Sequence, residues 1–133
     1  MLLFFQVEES GEISANDGIG LICGEDNKQA SRNNKQFNES PNTTVINSKG
    51  SIFVNGTCMT TRLPSFKKNS VIVFQASRLI RTSGVAGKYR VSISVDDKEV
   101  TFDWSTSATN EIDGLFFGCV FEHTGWQLSL IHI

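Results

Sequence analysis

The sequence predicts an all-β protein folded as one antiparallel β-sandwich, and three observations lead to this prediction. Short runs rich in Val, Ile and Phe recur along the 133 residues. No window carries a sustained apolar period of about 3.6 residues, which indicates that helix is nearly absent. Turn signals such as Asn55-Gly56, whose residues tolerate positive φ, follow some of the runs. Short amphipathic strands of this kind bury their apolar faces as two packed sheets.

Nine strands are predicted, each a run of β-favouring residues bounded by polar or glycine-bearing links. In chain order they are Leu2–Glu8, Ile19–Gly24, Thr43–Asn47, Ser51–Val54, Val71–Ser77, Lys88–Val95, Glu99–Trp104, Leu115–Phe121 and Trp126–Ile131. Asn55-Gly56 predicts a type I′ turn after the fourth run, and Asp96–Lys98 predicts the hairpin between the sixth and seventh.

Alternation within the later strands predicts which side chains form the core. In the stretch VTFDW, Asp103 falls between Phe102 and Trp104 and therefore on the opposite, solvated face of its strand. The same period places Cys119 inward beside the aromatic residues of FFGCVF. The predicted core comprises Val91, Ile93, Val95, Phe102, Trp104, Phe117, Cys119 and Phe121.

Composition argues against several classes of partner. The net charge is −2, with Lys and Arg scattered among Asp and Glu, so no basic footprint for nucleic acid or an anionic membrane is present. The initial MLLFF is too short to span a membrane and lacks the flanks of a signal peptide. Cys23, Cys58 and Cys119 show no metal-ligand spacing, which favours reduced core thiols in a cytoplasmic protein without a metal site.

No motif predicts catalysis. GIGLICG has Cys23 where a phosphate loop needs its third glycine, so it indicates a strand with small residues. His123 is interpreted as a turn residue, since no nucleophile motif accompanies it. Asp103 and Glu122 could form a glycosidase pair only if they faced one cleft. We therefore expect no enzyme, no catalytic residue and no small-molecule substrate.

The C-terminal half carries a family resemblance. SIFVNGTCMTTRLPSF, GKYRVSISVDDKEVTFDW and LFFGCVFEHTGWQL resemble, in order and spacing, the SPRY-like C-terminal domain of the cytokine receptor-like factor three family. The resemblance is strong from Ser51 to Leu128 and looser through FFQVE and DGIGLICGE. It implies a SPRY (B30.2-like, concanavalin A-like) sandwich, no cofactor, and non-catalytic protein binding at the end of a larger cytosolic protein linked to cytokine-receptor signalling.

The resemblance also implies boundaries for the domain. Residues 1–133 are interpreted as a single SPRY-like domain that lacks the first strands of the family. Residues 129–133, which read SLIHI, differ from the family and are interpreted as non-native.

A partner protein is expected to contact loops held on the rigid sandwich. The candidate loops are Glu25–Asn42, Arg78–Gly87 and Glu122–Gly125. Because arginine and aromatic residues commonly anchor interfaces, the predicted partner-binding residues are Arg78, Arg81 and His123. The alternative interpretation of each is a solvated loop residue without a binding role.

An extracellular, lectin-like, carbohydrate-binding sandwich is the alternative function. It would use the secretory route, in which the Asn55-Gly56-Thr57 sequon could be glycosylated. A hydrolase using His123 is a more distant hypothesis.

Overall fold

The chain folds as an all-β structure of ten strands. The computed structural model describes residues 1–23, 39–79, 87–106 and 115–131. Its strands are β1 (Leu2–Glu9), β2 (Gly18–Cys23), β3 (Thr43–Asn47), β4 (Ser51–Val54), β5 (Thr57–Arg62), β6 (Val71–Arg78), β7 (Lys88–Val95), β8 (Lys98–Ser105), β9 (Leu115–Val120) and β10 (Gln127–Ile131). In these ranges no helix is long and apolar enough to cross a membrane.

The strands form two five-stranded antiparallel sheets, which confirms the predicted fold class. Sheet 1 has the order β10-β1-β6-β7-β8, and sheet 2 has the order β5-β4-β3-β2-β9. Apolar side chains from both sheets form one buried cluster, in which Val7, Ile72 and Ile93 of sheet 1 lie with Ile19 and Ile46 of sheet 2. The two sheets are therefore the halves of a sandwich with a shared core.

The sandwich has two distinct edges. At one, which we call the Trp104 edge, β8 of sheet 1 approaches the β4–β5 turn, because Trp104 Nε1 donates a hydrogen bond to Asn55 Oδ1 over 2.9 Å. At the other, the Phe117 edge, β9 and β10 are the outermost strands of their sheets. There Phe117 stacks on Phe5 of β1 with ring centroids 4.7 Å apart.

Burial follows the predicted alternation except at the Phe117 edge. Val91, Ile93, Val95 and Trp104 are buried as predicted, and Phe102 and Phe121 are partly buried. The prediction was wrong for Phe117, which is 40% exposed, and for Cys119, which is also exposed. Both oppose buried residues of β2 and so lie on the inner face. They are exposed because β9 is an edge strand, with no further described strand to cover its outer side.

The interpretation of all three cysteines as core thiols was also wrong in part. Cys23, at the end of central strand β2, is buried, whereas Cys58 and Cys119 lie on the two edge strands of sheet 2 and are exposed. Cys119 is exposed because an edge strand leaves part of each inner-face side chain open to solvent. Cys58 is exposed because it pairs with Phe53 on the outer face of sheet 2.

The Asn55-Gly56 turn has the predicted type I′ geometry. Both residues have positive φ, 52° for Asn55 and 84° for Gly56, and Val54 pairs with Thr57 across the turn. The strand that follows, β5, was not predicted. Its sequence TCMTTR lacks alternating apolar residues, because β5 is an exposed edge strand that covers little of the core.

Asn55 also joins the two sheets. Its Oδ1 accepts the indole hydrogen bond, and its Nδ2 donates to the carbonyl oxygen of Ser105 over 2.8 Å. Trp104 is fully buried and its ring lies 5.5 Å from that of Tyr89. Asp103, one residue earlier, is exposed as predicted and accepts a hydrogen bond from Arg90 Nε at 3.2 Å. The stretch VTFDW is therefore structural, with its aspartate on the solvated face.

Replacing Trp104 is expected to destabilise the fold far more than neutralising its neighbour. Trp104→Ala leaves a large cavity and removes the partner of Asn55, so the free energy of unfolding should fall by about 3–5 kcal/mol. Asp103→Asn should cost less than about 1 kcal/mol, because it weakens exposed ion pairs only. Urea melts of both variants measure the difference, and the reverse order would contradict the assigned faces of β8.

Gly56→Val is expected to destabilise the β4–β5 hairpin by about 1–3 kcal/mol, because a β-branched residue resists positive φ. A Cβ atom at Gly56 would in addition lie 2.8 Å from the carbonyl oxygen of Glu39. Thr57→Val is the matched control, since it places the same side chain on an exposed strand position. Equal thermal melting temperatures for the two variants would show that the turn does not constrain the fold.

Candidate interaction surface

His123 is tied to a buried aspartate far away in the sequence. It lies between β9 and β10, as predicted, and its Nδ1 lies 2.9 Å from Oδ2 of Asp17, the residue just before β2. Asp17 is 0% exposed, and its Oδ1 accepts a hydrogen bond from the backbone N–H of Glu122 over 2.5 Å. The carboxyl group of Asp17 therefore holds the β9–β10 connection against the start of β2.

The other ring nitrogen of His123 faces a second carboxylate. Nε2 lies 3.5 Å from Oε2 of Glu12, an exposed residue in the β1–β2 connection. The hydrogen bond to Asp17 is the largest cause that raises the pKa of His123 above its ordinary value of 6.5, and the charges of Asp17, Glu12 and Glu122 act in the same direction. The ring is thus a cationic link between two loops when it is protonated.

The geometry of His123 suits a structural tie better than a catalytic base. A hydrolytic histidine held by an aspartate would aim its second nitrogen at a nucleophile. Here that nitrogen faces the carboxylate of Glu12 instead. Asp103 and Glu122 do not share a cleft either, because Asp103 lies on the outermost strand β8 and Glu122 follows β9 at the opposite edge of the sandwich.

Trp126 closes the same end of the sandwich. Its Nε1 donates to the carbonyl oxygen of Glu12 over 3.1 Å, and its ring packs against Phe66 and Phe121. A Cβ atom at Gly11 would lie 2.5 Å from the Trp126 ring, so the indole rests directly on the β1–β2 backbone. We call the surface formed by residues 10–17 and 121–126 the His123 end.

Arg78 lies at the other end of the sandwich. It is the last residue of β6, and the antiparallel pairing of β6 with β1 places the start of β6 beside the end of β1. Its guanidinium carbon is 5.9 Å from the centre of the Tyr89 ring, in the range of a cation–π contact. Arg81 lies outside the described residues, as does most of the loop Glu25–Asn42. Arg78 and His123 therefore cannot belong to one compact site.

Exposed large apolar side chains occur on few elements of the described structure. They are Met1, Leu2, Ile13, Phe117, Val120, Leu130 and Ile131. Six of them lie on β1, β9 or β10 or directly before β1, and Ile13 lies in the β1–β2 connection. The strands β2 to β8 contribute none. This distribution was not predicted, because the sequence alone did not show that β9 and β10 end their sheets.

Charge is distributed in the same asymmetric way. Residues 1–23 and 115–131, which include the Phe117 edge and the His123 end, contain no Lys or Arg. Their five acidic residues are Glu8, Glu9, Glu12, Asp17 and Glu122. The remaining described ranges contain eight Lys and Arg against five Asp and Glu. The apolar edge is thus bordered by an end rich in carboxylates, although Glu9 is paired with Lys68 of the β5–β6 connection over 3.2 Å.

The fold and this surface define a two-sheet antiparallel sandwich with one apolar edge and one acidic end. The model of the family described as the CRLF3 C-terminal domain matches residues 1–131, and the chain belongs to this family. The chain is 36% identical over 131 residues to cytokine receptor-like factor 3 of Homo sapiens and 32% identical over 130 residues to that of Xenopus laevis. Each alignment covers 95% of this chain and 28% of the relative's length. The predicted membership of the cytokine receptor-like factor family is confirmed.

The free energy of unfolding should depend on pH because of the hydrogen bond between His123 and Asp17. Because the pKa of His123 is raised in the folded state, its protonation stabilises the fold at pH values below 6.5. This stabilisation is lost as the pH rises through the folded-state pKa. An NMR titration of the His123 ring should give a pKa above 6.5, and Asp17→Asn should lower it.

His123→Gln provides the matched measurement. The difference in free energy of unfolding between the native sequence and this variant should shrink as the pH is raised from about 5 to about 8. A difference that grows with pH would mean that the neutral ring, and not the cation, is favoured in the folded state.

Proposed function

We propose that the chain is a non-catalytic protein–protein interaction module of SPRY type, forming the C-terminal part of a cytosolic cytokine receptor-like factor involved in signalling. The observation that carries the interaction role is the exposure of large apolar side chains on β1, β9 and β10 and in the β1–β2 connection, where Phe117 and Val120 of β9 lie outside the terminal SLIHI stretch. Exposed large apolar side chains concentrated on a few edge elements of a protein are a common feature of binding surfaces.

The scaffold supports this role. Two five-stranded sheets with a buried common cluster hold the edge strands in place, so a partner would meet a preformed surface. The His123–Asp17 hydrogen bond and the Trp126 ring fix the connections beside that surface. The support for the signalling part of the proposal is the name of the relatives, which refers to cytokine receptors. The SPRY type is supported by the antiparallel two-sheet architecture.

The chain spans 28% of the length of the relatives it matches, so partners are best sought with the longer protein. Site-specific photo-crosslinking in cells can compare three positions. A photoreactive residue at Val120 on the apolar edge or at Thr124 beside His123 should give crosslinked products. The same residue at Thr60, on the exposed and opposite edge strand β5, should give few or none.

Equal crosslinking from all three positions would argue against a specific interaction surface. The other candidate end is tested in parallel by capture of partners with an Arg78→Ala/Arg81→Ala variant that remains folded. If this variant loses partners and the crosslinks at Val120 are absent, binding occurs at the Arg78 end and not at the apolar edge.

A further inference from the structure

We propose that the surface formed by Lys49, Arg62 and Lys67 binds an acidic segment of a partner protein. We call this surface the Arg62 corner. Its residues lie in the β3–β4 turn, at the end of β5 and in the β5–β6 connection. The inference goes beyond the proposed function, because β5 and the apolar strand β9 are the opposite edge strands of sheet 2.

Charge is segregated along the chain. Residues 40–95 contain no Asp or Glu. The eight Lys and Arg of the same stretch are Lys49, Arg62, Lys67, Lys68, Arg78, Arg81, Lys88 and Arg90. Carboxylates that balance these cations can therefore come only from other parts of the chain or from a partner.

Several of these cations are already balanced within the chain. Lys68 Nζ lies 3.2 Å from Oε1 of Glu9. Asp103 is contacted by Arg90 Nε at 3.2 Å and by Lys88 Nζ at 3.9 Å. These three side chains are thus less available to an acidic partner.

Arg78 has an aromatic partner, because its guanidinium stands over the ring of Tyr89. The described cations of residues 40–95 that have no anionic or aromatic partner in the described structure are Lys49, Arg62 and Lys67. All three side chains are exposed. The unbalanced positive charge of this long stretch therefore collects in one place.

Backbone contacts bring the three cations together. The carbonyl oxygen of Lys49 accepts a hydrogen bond from Arg62 Nη2 over 3.1 Å. The backbone N–H of Phe66 donates to the carbonyl oxygen of Ser48 over 2.9 Å, and the Phe66 side chain is fully buried. Lys67 directly follows this anchored residue. The β5–β6 connection thus lies on the β3–β4 turn, and the cations extend from adjoining segments.

Arg62 is held in a way that suits a carboxylate. Apart from the bond to Lys49, no hydrogen bond or ion pair joins its guanidinium to a described residue. A guanidinium presents its donors in a planar fork that matches the two oxygens of a carboxylate. The backbone N–H of Leu63 donates to the carbonyl oxygen of Gly50 over 2.9 Å, which fixes the end of β5 against the turn. Such a preformed frame reduces the entropy lost on binding.

The number of cations favours an acidic protein segment over a polyanion. Clusters that bind anionic lipids typically contain about 4–8 Lys or Arg. The Arg62 corner has three, and the net charge of −2 opposes binding to nucleic acid or an anionic membrane. A short run of Asp or Glu matches the cations in number, and its carboxylates match the donor fork of Arg62.

Fluorescence anisotropy with labelled peptides tests the proposal on the full chain. The acidic probe is Gly-Glu-Asp-Glu-Asp-Gly, and the neutral probe has Gln for Glu and Asn for Asp. The acidic probe should bind in a saturable way, and the neutral probe should bind about tenfold or more weakly. Raising the ionic strength from about 0.05 M to about 0.5 M should weaken binding of the acidic probe, because salt screens exposed charges.

Variants locate the site. Arg62→Gln should weaken binding of the acidic probe by about tenfold. Arg90→Gln is the matched control, since it removes an exposed arginine that is already paired with Asp103, and should leave binding unchanged. Because Arg62 also bonds the carbonyl of Lys49, Lys67→Gln provides a second variant, whose side chain has no hydrogen bond or ion pair to a described residue. It should weaken binding about two- to fivefold.

Three results would overturn the inference. Unaltered binding by folded Arg62→Gln and Lys67→Gln proteins would show that the Arg62 corner is not the site. Equal affinity for the acidic and neutral probes would refute the charge requirement. Binding to vesicles that contain phosphatidylserine, without binding of the acidic probe, would mean that the partner is a membrane and not a protein segment.

Competition in the longer protein separates this inference from the proposed function. The acidic probe should leave photo-crosslinks from Val120 unchanged, because β9 and β5 lie on opposite edges of sheet 2. Any crosslinks from Thr60 that the probe removes would belong to the Arg62 corner, since Thr60 shortly precedes Arg62 on β5. If crosslinks form at Val120 but the acidic probe does not bind, the interaction role stands and this inference is wrong. If the probe binds but Val120 gives no crosslinks, the reverse holds.

Discussion

The hydrogen bond between Trp104 and Asn55 is the constraint on which the arrangement of the sandwich depends. It joins β8 of sheet 1 to the β4–β5 turn of sheet 2, and the second bond from Asn55 to Ser105 reinforces the same junction. A buried indole N–H without an acceptor would cost the fold about 1–3 kcal/mol, so the turn must present Asn55 at this point. One edge of the sandwich is thereby closed, and β9 and β10 lie at the other.

The Phe117 edge and the His123 end differ in chemistry from the rest of the described surface. Apolar exposure concentrates at β1, β9 and β10, while the adjoining connections carry carboxylates without Lys or Arg. The His123–Asp17 contact sets this end in place by joining the β9–β10 connection to the start of β2. The exposed apolar residues of β9 and the His123–Asp17 contact are therefore linked, because the connection that leads out of β9 carries the histidine.

Sequence period predicted burial well in the central strands and in the edge strand β8, where Trp104 is buried. In β7, the alternation of Val91, Ile93 and Val95 was sufficient to predict which side chains are buried, because a central strand buries its whole inner face. In β9 the same alternation gave the correct face but the wrong exposure for Phe117 and Cys119. Strand β5 was not predicted, because an exposed edge strand can form without an alternating apolar pattern.

The sequence by itself determined the fold class, the type I′ turn at Asn55-Gly56 and the solvated face of Asp103. These depend on local properties, namely side-chain period and the φ values that Asn and Gly tolerate. Only the tertiary structure decided that His123 meets Asp17, 106 residues earlier, and that Arg78 lies at the other end. It also decided the order of strands, and hence which apolar side chains remain exposed. Strand order depends on long-range pairing, which no local period encodes.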